Sequence, residues 1–201
     1  YYKNLENKKK KIKNINLKLI GEHNILNASA AIAVCLNLGV KIDIIKKALR
    51  NFSGVQRRMT KIFTKNKNEF FDDYAHHPTE ITSVLDGVKS VYKKKEIICI
   101  FQPHRISRVK NLKSEFSKSF IKSDTVLLCP IYKASETINL GFSYNSFAQL
   151  IIKNSKVKLI IINNEKELQK FLKQTAYGNK IYIGMGAGSI SSWMRNLKNN
   201  I

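Results

Sequence analysis

The feature that most constrains this chain is a regular alternation of short apolar runs with longer stretches of helical spacing. Apolar runs fall at residues 69–73, 96–101, 124–129, 157–162 and 180–184. Helical stretches near 78–93, 109–122, 144–154 and 165–174 separate them, and a last one follows at about 189–198. The clearest helix carries Ile81, Val84, Leu85, Val88 and Tyr92 at helical spacing, with Pro78 suited to its first turn. Strands separated by one helix each predict βαβ units, hence an α/β fold with a mostly parallel sheet and helices on both faces. In such sheets ligands gather at the carboxyl ends of the strands. The unusual segments sit at those ends: DDYAHHP, FQPHRISR, CPIYKASE and GMGAGS. Chemistry is therefore expected along one edge of the sheet.

The first quarter of the chain reads differently. Residues 14–20 alternate polar and apolar, which predicts a half-buried strand. An Ala-rich helix follows, in which Ala28, Ala31 and Ala33 would allow close packing and Gly39 supplies a C-cap. A second short helix is expected over 42–51, and the polar stretch around Gly54 marks a boundary between a segment 1–53 and a domain 54–201. The chain starts at Tyr1, without an apolar signal-peptide core in its first dozen residues, and reads as a piece of something longer. No apolar run approaches the roughly 18–20 residues of a membrane span. Cys35, Cys99 and Cys129 form no CxxC pair and each lies in an apolar run, which predicts buried free thiols in a reducing, cytoplasmic setting.

A net charge of +22 would ordinarily point to nucleic acid or an acidic membrane. Six arginines and thirty lysines make up the 36 basic residues, however, and the lysines are spread along nearly every segment apart from a cluster at 8–11 and 13. Lys, Asn and Ile are all spelled by A/T-rich codons, so genome bias explains the excess and no nucleic-acid partner is expected. A nucleic-acid domain would concentrate Arg among exposed aromatics. Against this background the arginines are informative, because four of the six fall in two short motifs: Arg57–Arg58 and Arg105–Arg108.

Two acids and two histidines lie within DDYAHHP. They suit acid–base groups, anion donors or metal ligands, although no further His or Cys pair supports a zinc site, and Asp73 or His77 also suits a plain helix cap before Pro78. In FQPHRISR, Arg105 and Arg108 stand three apart between a strand and a helix, two guanidinium forks placed for a carboxylate or phosphate. The glycines of residues 184–189 fit either a tight packing turn or contact with an anion, and no GxxxxGK[ST] phosphate loop occurs anywhere. Asn24 and Asn27 open the Ala-rich helix, where capping competes with hydrogen bonding to an adenine-like edge.

In order and spacing, GEHNILNASAA, GVQRRM, DDYAHHPTEI, FQPHRISR, YKASE and GMGAGSI resemble the Mur ligase family over essentially all of the chain. The PHR-x-x-R run favours its alanine-adding member over the one that recycles murein tripeptides. The resemblance implies a Rossmann-like C-terminal ligase domain preceded by the helical tail of a central ATPase domain whose P-loop part is not in this chain, so that these residues alone would not turn over. It implies ATP-dependent ligation of L-alanine to UDP-N-acetylmuramate in peptidoglycan synthesis. The route is an acyl phosphate, with ATP and Mg2+ as cofactors and no metal ligand assigned here. Asn24, Asn27, Arg58 and Asp73 match ATP-binding positions, and Arg58 and Asp73 also count as catalytic. Tyr74, His76, His104, Arg105 and Arg108 match positions around the amino-acid and muramyl substrates. The chain departs from the family's usual residues at Ile20, Glu22, Pro130 and Ser135.

Overall fold

The computed structural model describes residues 2–3, 9–19, 21–136 and 141–201. They divide into two compact units, Tyr1–Gly54 and Val55–Ile201. In the first, β1 (Tyr2–Lys3) pairs antiparallel with β2 (Lys9–Lys10), and two helices follow, α1 (Glu22–Asn37) and α2 (Ile42–Asn51). The strand expected over 14–20 is not formed. Residues 11–19 carry no regular structure and find no ladder partner, without which a lone alternating segment gains nothing from extending. Ile20 lies outside the described residues, as does Lys8 of the basic cluster. Helix α1 starts on Gly21 without a side-chain cap, which places Asn24 in the first turn and not at the cap. It ends as expected, with Gly39 at φ 77 and its N–H donating to the Leu36 carbonyl. Ile32 and Ile45 are buried, but Ala31 is exposed and Ile25, Leu26, Val34, Leu38 and Ile44 are largely so. The predicted close-packed alanine face is thus only partly covered, with Ala28 and Ala33 half-buried. Cys35 is half-buried for the same reason, whereas Cys99 and Cys129 are buried as expected; all three are free.

The second unit is the α/β domain. Its strands are β3 (Thr60–Lys65), β4 (Asn68–Asp73), β5 (Glu96–Phe101), β6 (Thr125–Leu128), β7 (Lys158–Ile161) and β8 (Lys180–Met185). Its helices are α3 (Pro78–Val91), α4 (Ile106–Asn111), α5 (Lys113–Lys118), α6 (Tyr144–Ser155), α7 (Glu165–Thr175) and α8 (Ile190–Asn200). The sheet order is β3-β4-β8-β5-β6-β7. All neighbours run parallel except the β3–β4 hairpin, which closes one edge through the two-residue loop Asn66–Lys67. Strand β3 was not anticipated from the sequence. The single helix expected over 109–122 is two short ones, broken at Leu112 (φ −111, ψ 26), and α5 stops at Lys118, where Ser117 and Ser119 donate their hydroxyls to the Ser114 and Glu115 carbonyls and compete with the helical ladder.

Two apolar layers hold the sheet. On one face Phe71, Cys99, Phe101, Leu128, Ile183 and Met185 pack with Ile81, Leu85 and Val88 of α3, Phe116 of α5 and Phe147 of α6. On the other, Phe70, Ile98, Ile100, Leu127 and Tyr182 pack with Leu168 and Leu172 of α7 and Met194 and Leu197 of α8. Truncating one fully buried aromatic here, such as Phe101, should cost about 3–5 kcal/mol. Because β8 is the last strand yet inserts between β4 and β5, the chain reverses direction across the sheet there. That crevice at the carboxyl ends is where an open α/β sheet takes its ligands.

Candidate active site

Around the carboxyl ends of β4, β8, β5 and β6 the chain builds a continuous polar row. Helix α3 is set by a capping box: the His77 ring accepts from the Thr79 N–H, and the Glu80 carboxylate accepts from the backbone N–H of His76 and His77 at 3.0 and 3.2 Å. His77 is thus a helix cap. Its neighbour His76 is held by the Tyr74 carbonyl at 2.9 Å from Nδ1. Burial works against charge on Glu80, yet the His76 backbone N–H, the His76 ring, the His77 N–H and Arg58 together hold its carboxyl below the usual glutamate range.

Aromatic rings then run edge to edge across the strand ends. Tyr74 meets His76 at 5.0 Å between ring centres, His76 meets His104 at 5.8 Å, and His104 stacks on Tyr132 at 5.5 Å. Arg108 points an amino group at His104 Nδ1, 3.4 Å away. Guanidinium only donates, so Nδ1 must be the acceptor and the ring proton sits on Nε2. Burial first, then Arg108, His76 and Arg105, push the His104 imidazole below its ordinary value, which keeps it neutral at pH 7. Arg105 lies at the start of α4 with φ 67, exposed, and its charge helps hold the Glu136 carboxyl down. Tyr74, His76, His104, Arg105 and Arg108, drawn from two motifs 30 residues apart in sequence, therefore line one edge.

Two of the expectations are sharpened here. The six-residue α4 does not present an empty anion site, because the Glu136 carboxylate already accepts from the Ser107 N–H at 3.1 Å and from its hydroxyl at 2.5 Å. Those hydrogen bonds, the side-chain one first, lower the Glu136 carboxyl. The glycines of 184–189 are packing glycines: a Cβ on Gly184 would lie 2.3 Å from Met194 Cγ, and one on Gly188 2.5 Å from Tyr132 Cγ.

The neighbouring arginines divide their duties. Arg57 is spent inside the fold, donating to the Gly186 carbonyl at 2.6 Å, facing Asp72 at 4.0 Å and lying over the Tyr74 ring at 4.6 Å. Arg58 is half exposed and only loosely paired with Glu80 at 3.8 Å. Asp73 is 1% exposed, and its two oxygens accept from the Met59 and Ala75 backbone N–H groups at 2.7 and 2.8 Å. Burial nonetheless raises its carboxyl above the usual range, outweighing those bonds and Arg58. Asn24 and Asn27 belong to α1 of the first unit. Sequence reasoning passed over four residues that organise this edge: Glu80, Gln102, Tyr132 and Glu136. The Gln102 side chain joins Ser189 and the Ile190 N–H at 3.0 Å each. Its one sequence signal was a polar residue closing an apolar strand. Among the described residues no group of three or more His, Cys, Asp or Glu side chains gathers to hold a metal.

The family model for the Mur ligase glutamate ligase domain fits residues 57–188. A UDP-N-acetylmuramate–L-alanine ligase of Pelagibacter ubique is 60% identical over 186 residues, covering 92% of this chain and 40% of that protein. The crystal structure of the UDP-N-acetylmuramate–alanine ligase of Thermotoga maritima superposes with a TM-score of 0.74 at 29% identity, over 92% of this chain and 39% of that one. A murein peptide ligase from Psychrobacter arcticus gives 0.66 at 25%, over 92% and 38%. The chain spans about 40% of the length of the curated relatives it matches. With a matching domain model over most of its length and the expected mostly parallel sheet beneath the motifs, this chain belongs to the Mur ligase family.

Proposed function

We propose that the protein carrying this chain ligates L-alanine to UDP-N-acetylmuramate at the expense of ATP, in cytoplasmic peptidoglycan precursor synthesis. The observation that carries this reading is the convergence of His76, His104, Arg105 and Arg108 on one edge of the sheet, in a chain 60% identical to a ligase of that name.

The chemistry proceeds in two steps. A lactyl carboxylate oxygen attacks the γ-phosphorus of ATP and ADP departs, leaving an acyl phosphate. The alanine nitrogen then attacks the acyl carbon, and the tetrahedral intermediate expels phosphate while the nitrogen loses its proton, giving the amide. For this the amine must be neutral and its carboxylate held away from the reacting carbon. Arg105 and Arg108 suit that clamp, since paired guanidinium forks orient a small carboxylate and fix the angle of attack. Neutral His104 keeps an Nε2–H donor for a carboxylate or acyl oxygen, and Tyr74 and His76 wall the same edge. Arg58, half free, is the residue for phosphate charge. Asp73 acts in this conformation by holding Met59 and Ala75, and through them the backbone that carries Arg58 and Tyr74. Asn24 and Asn27 take the adenine-facing role of their family positions. Magnesium, implied by the family, supplies charge neutralisation on phosphate when bound. The described residues offer it no ligand set, and no step here depends on it.

The test is a graft in which this chain replaces the matching part of the Pelagibacter ligase. Phosphate release should depend on both UDP-N-acetylmuramate and alanine. Arg108→Ala should lower kcat/KM for alanine roughly ten- to a hundredfold, the size of a charge-assisted hydrogen bond. Arg58→Ala should reduce turnover with little change in alanine KM. A folded graft that ignores alanine, or prefers a murein tripeptide, overturns the reading.

A further inference from the structure

We propose that Tyr132 is a positioning residue that fixes the His104 ring, with Gly188 providing the space it needs. The kinetic consequence rests on the proposed role of His104 at the amino-acid substrate; the structural one does not. Imidazole rotates about a broad two-fold torsion and is not locked by its own backbone. His104 has an edge contact with His76 on one side and a long hydrogen bond from Arg108, neither of which defines a ring plane. Tyr132 does. Its ring lies 10° from parallel to His104.

The backbone keeps the two rings together. The Arg105 N–H donates to the Tyr132 carbonyl at 2.9 Å and the Tyr132 N–H to the Pro103 carbonyl at 2.8 Å, so hydrogen bonds bracket His104 on both sides. The loop is bolted again by Glu136 on Ser107. At the base of the Tyr132 side chain stands Gly188, where any Cβ would come within 2.5 Å of Cγ and 2.7 Å of Cβ of Tyr132. Real side chains do not approach so closely, and a residue there would displace the Tyr132 ring together with the Gln102 side chain, whose Oε1 would lie 2.6 Å away. Glycine in GMGAGS thereby couples the loop after β8 to the PHR segment after β5. Besides the stacked Tyr132 itself, Arg105, Arg108, His76 and Glu136 are the charged or titratable groups that act on His104, and Tyr132→Phe leaves those four in the chain.

The chain holds four histidines, so the His104 imidazole resonances can be followed by NMR titration. In Tyr132→Ala the ring-current shielding disappears, the His104 protons move downfield, and its titration moves upward because water reaches the imidazolium. Tyr132→Phe should retain both properties. Gly188→Ala, with Tyr132 intact but displaced, should move both in the same direction as Tyr132→Ala, and it decides the matter should Tyr132→Ala not fold. Unchanged His104 resonances and midpoint in the alanine variants, or failure of Phe to preserve them, overturns the proposal. In the grafted ligase Tyr132→Ala should raise alanine KM on the order of tenfold with ATP KM unchanged. Equal change in both constants counts against positioning. An inactive unsubstituted graft speaks against the proposed function alone, while the NMR result still judges the stack.

Discussion

At the residue scale, adjacent side chains of the same type do different work because the backbone sends them to different neighbours. Arg57, at φ 60, is turned inward onto Gly186, Asp72 and Tyr74, and Arg58 is left half free. His76 faces the aromatic row while His77 caps α3. The cap has a pH signature. The Glu80 carboxyl is depressed in the fold, so its contribution to stability is complete above the ordinary glutamate value of 4.5 and drains away as pH falls through the lower folded value. Glu80→Gln keeps the capping geometry but cannot ionise. Thermal melts from pH 7 to 3 should therefore show a shallower acid-side loss for the variant, together with a modest deficit at neutral pH. Parallel curves for the two proteins would refute the assignment. The seven-residue pattern DDYAHHP exposed the chemical types in the sequence, but nothing in it distinguished a cap from a site residue, since both use the same ring nitrogens.

Elements tell a similar story. Strands β4, β5, β6, β7 and β8 were legible because each is a short apolar run between helices, buried on both faces where the sheet is central. Strand β3 was not. Its hairpin loop uses Asn66 and Lys67 at φ 50 and 65, conformations usually signalled by glycine, and the Lys at the second place hides the turn. Half of its residues are also exposed, in keeping with an edge strand. The contact between β8 and α8 was invisible for another reason: the glycines of 184–189 fitted a packing turn and an anion contact equally well, and only the fold shows Gly184 making room for Met194. Gly184→Ala should overpack that contact and cost about 1–3 kcal/mol in denaturant unfolding, and Met194→Ala in the same chain should recover part of the loss. Strict additivity of the two substitutions would show that the glycine has some other purpose.

At the scale of the whole molecule, the second unit has two apolar layers around its sheet, while the first leaves Ile25, Leu26, Val34, Leu38 and Ile44 largely exposed. Hydrogen exchange should find the amides of α1 and α2 on the order of a hundredfold less protected than those of β5 and β8, because local opening there exposes little new apolar surface. Equal protection would mean the first unit has stability that its packing does not explain. The sequence by itself determined the α/β class, the alternation of its central elements, the motifs at the strand ends and, through them, the family. All of that is local information: periodicity, turn chemistry and spacing within a few dozen residues. Only the tertiary structure decided that the last strand inserts between β4 and β5, that an antiparallel strand closes the edge, that Arg57 is internal while Arg58 is available, and that Tyr132 backs His104. Those outcomes depend on which distant segments come to lie side by side, and no window of the chain contains both partners.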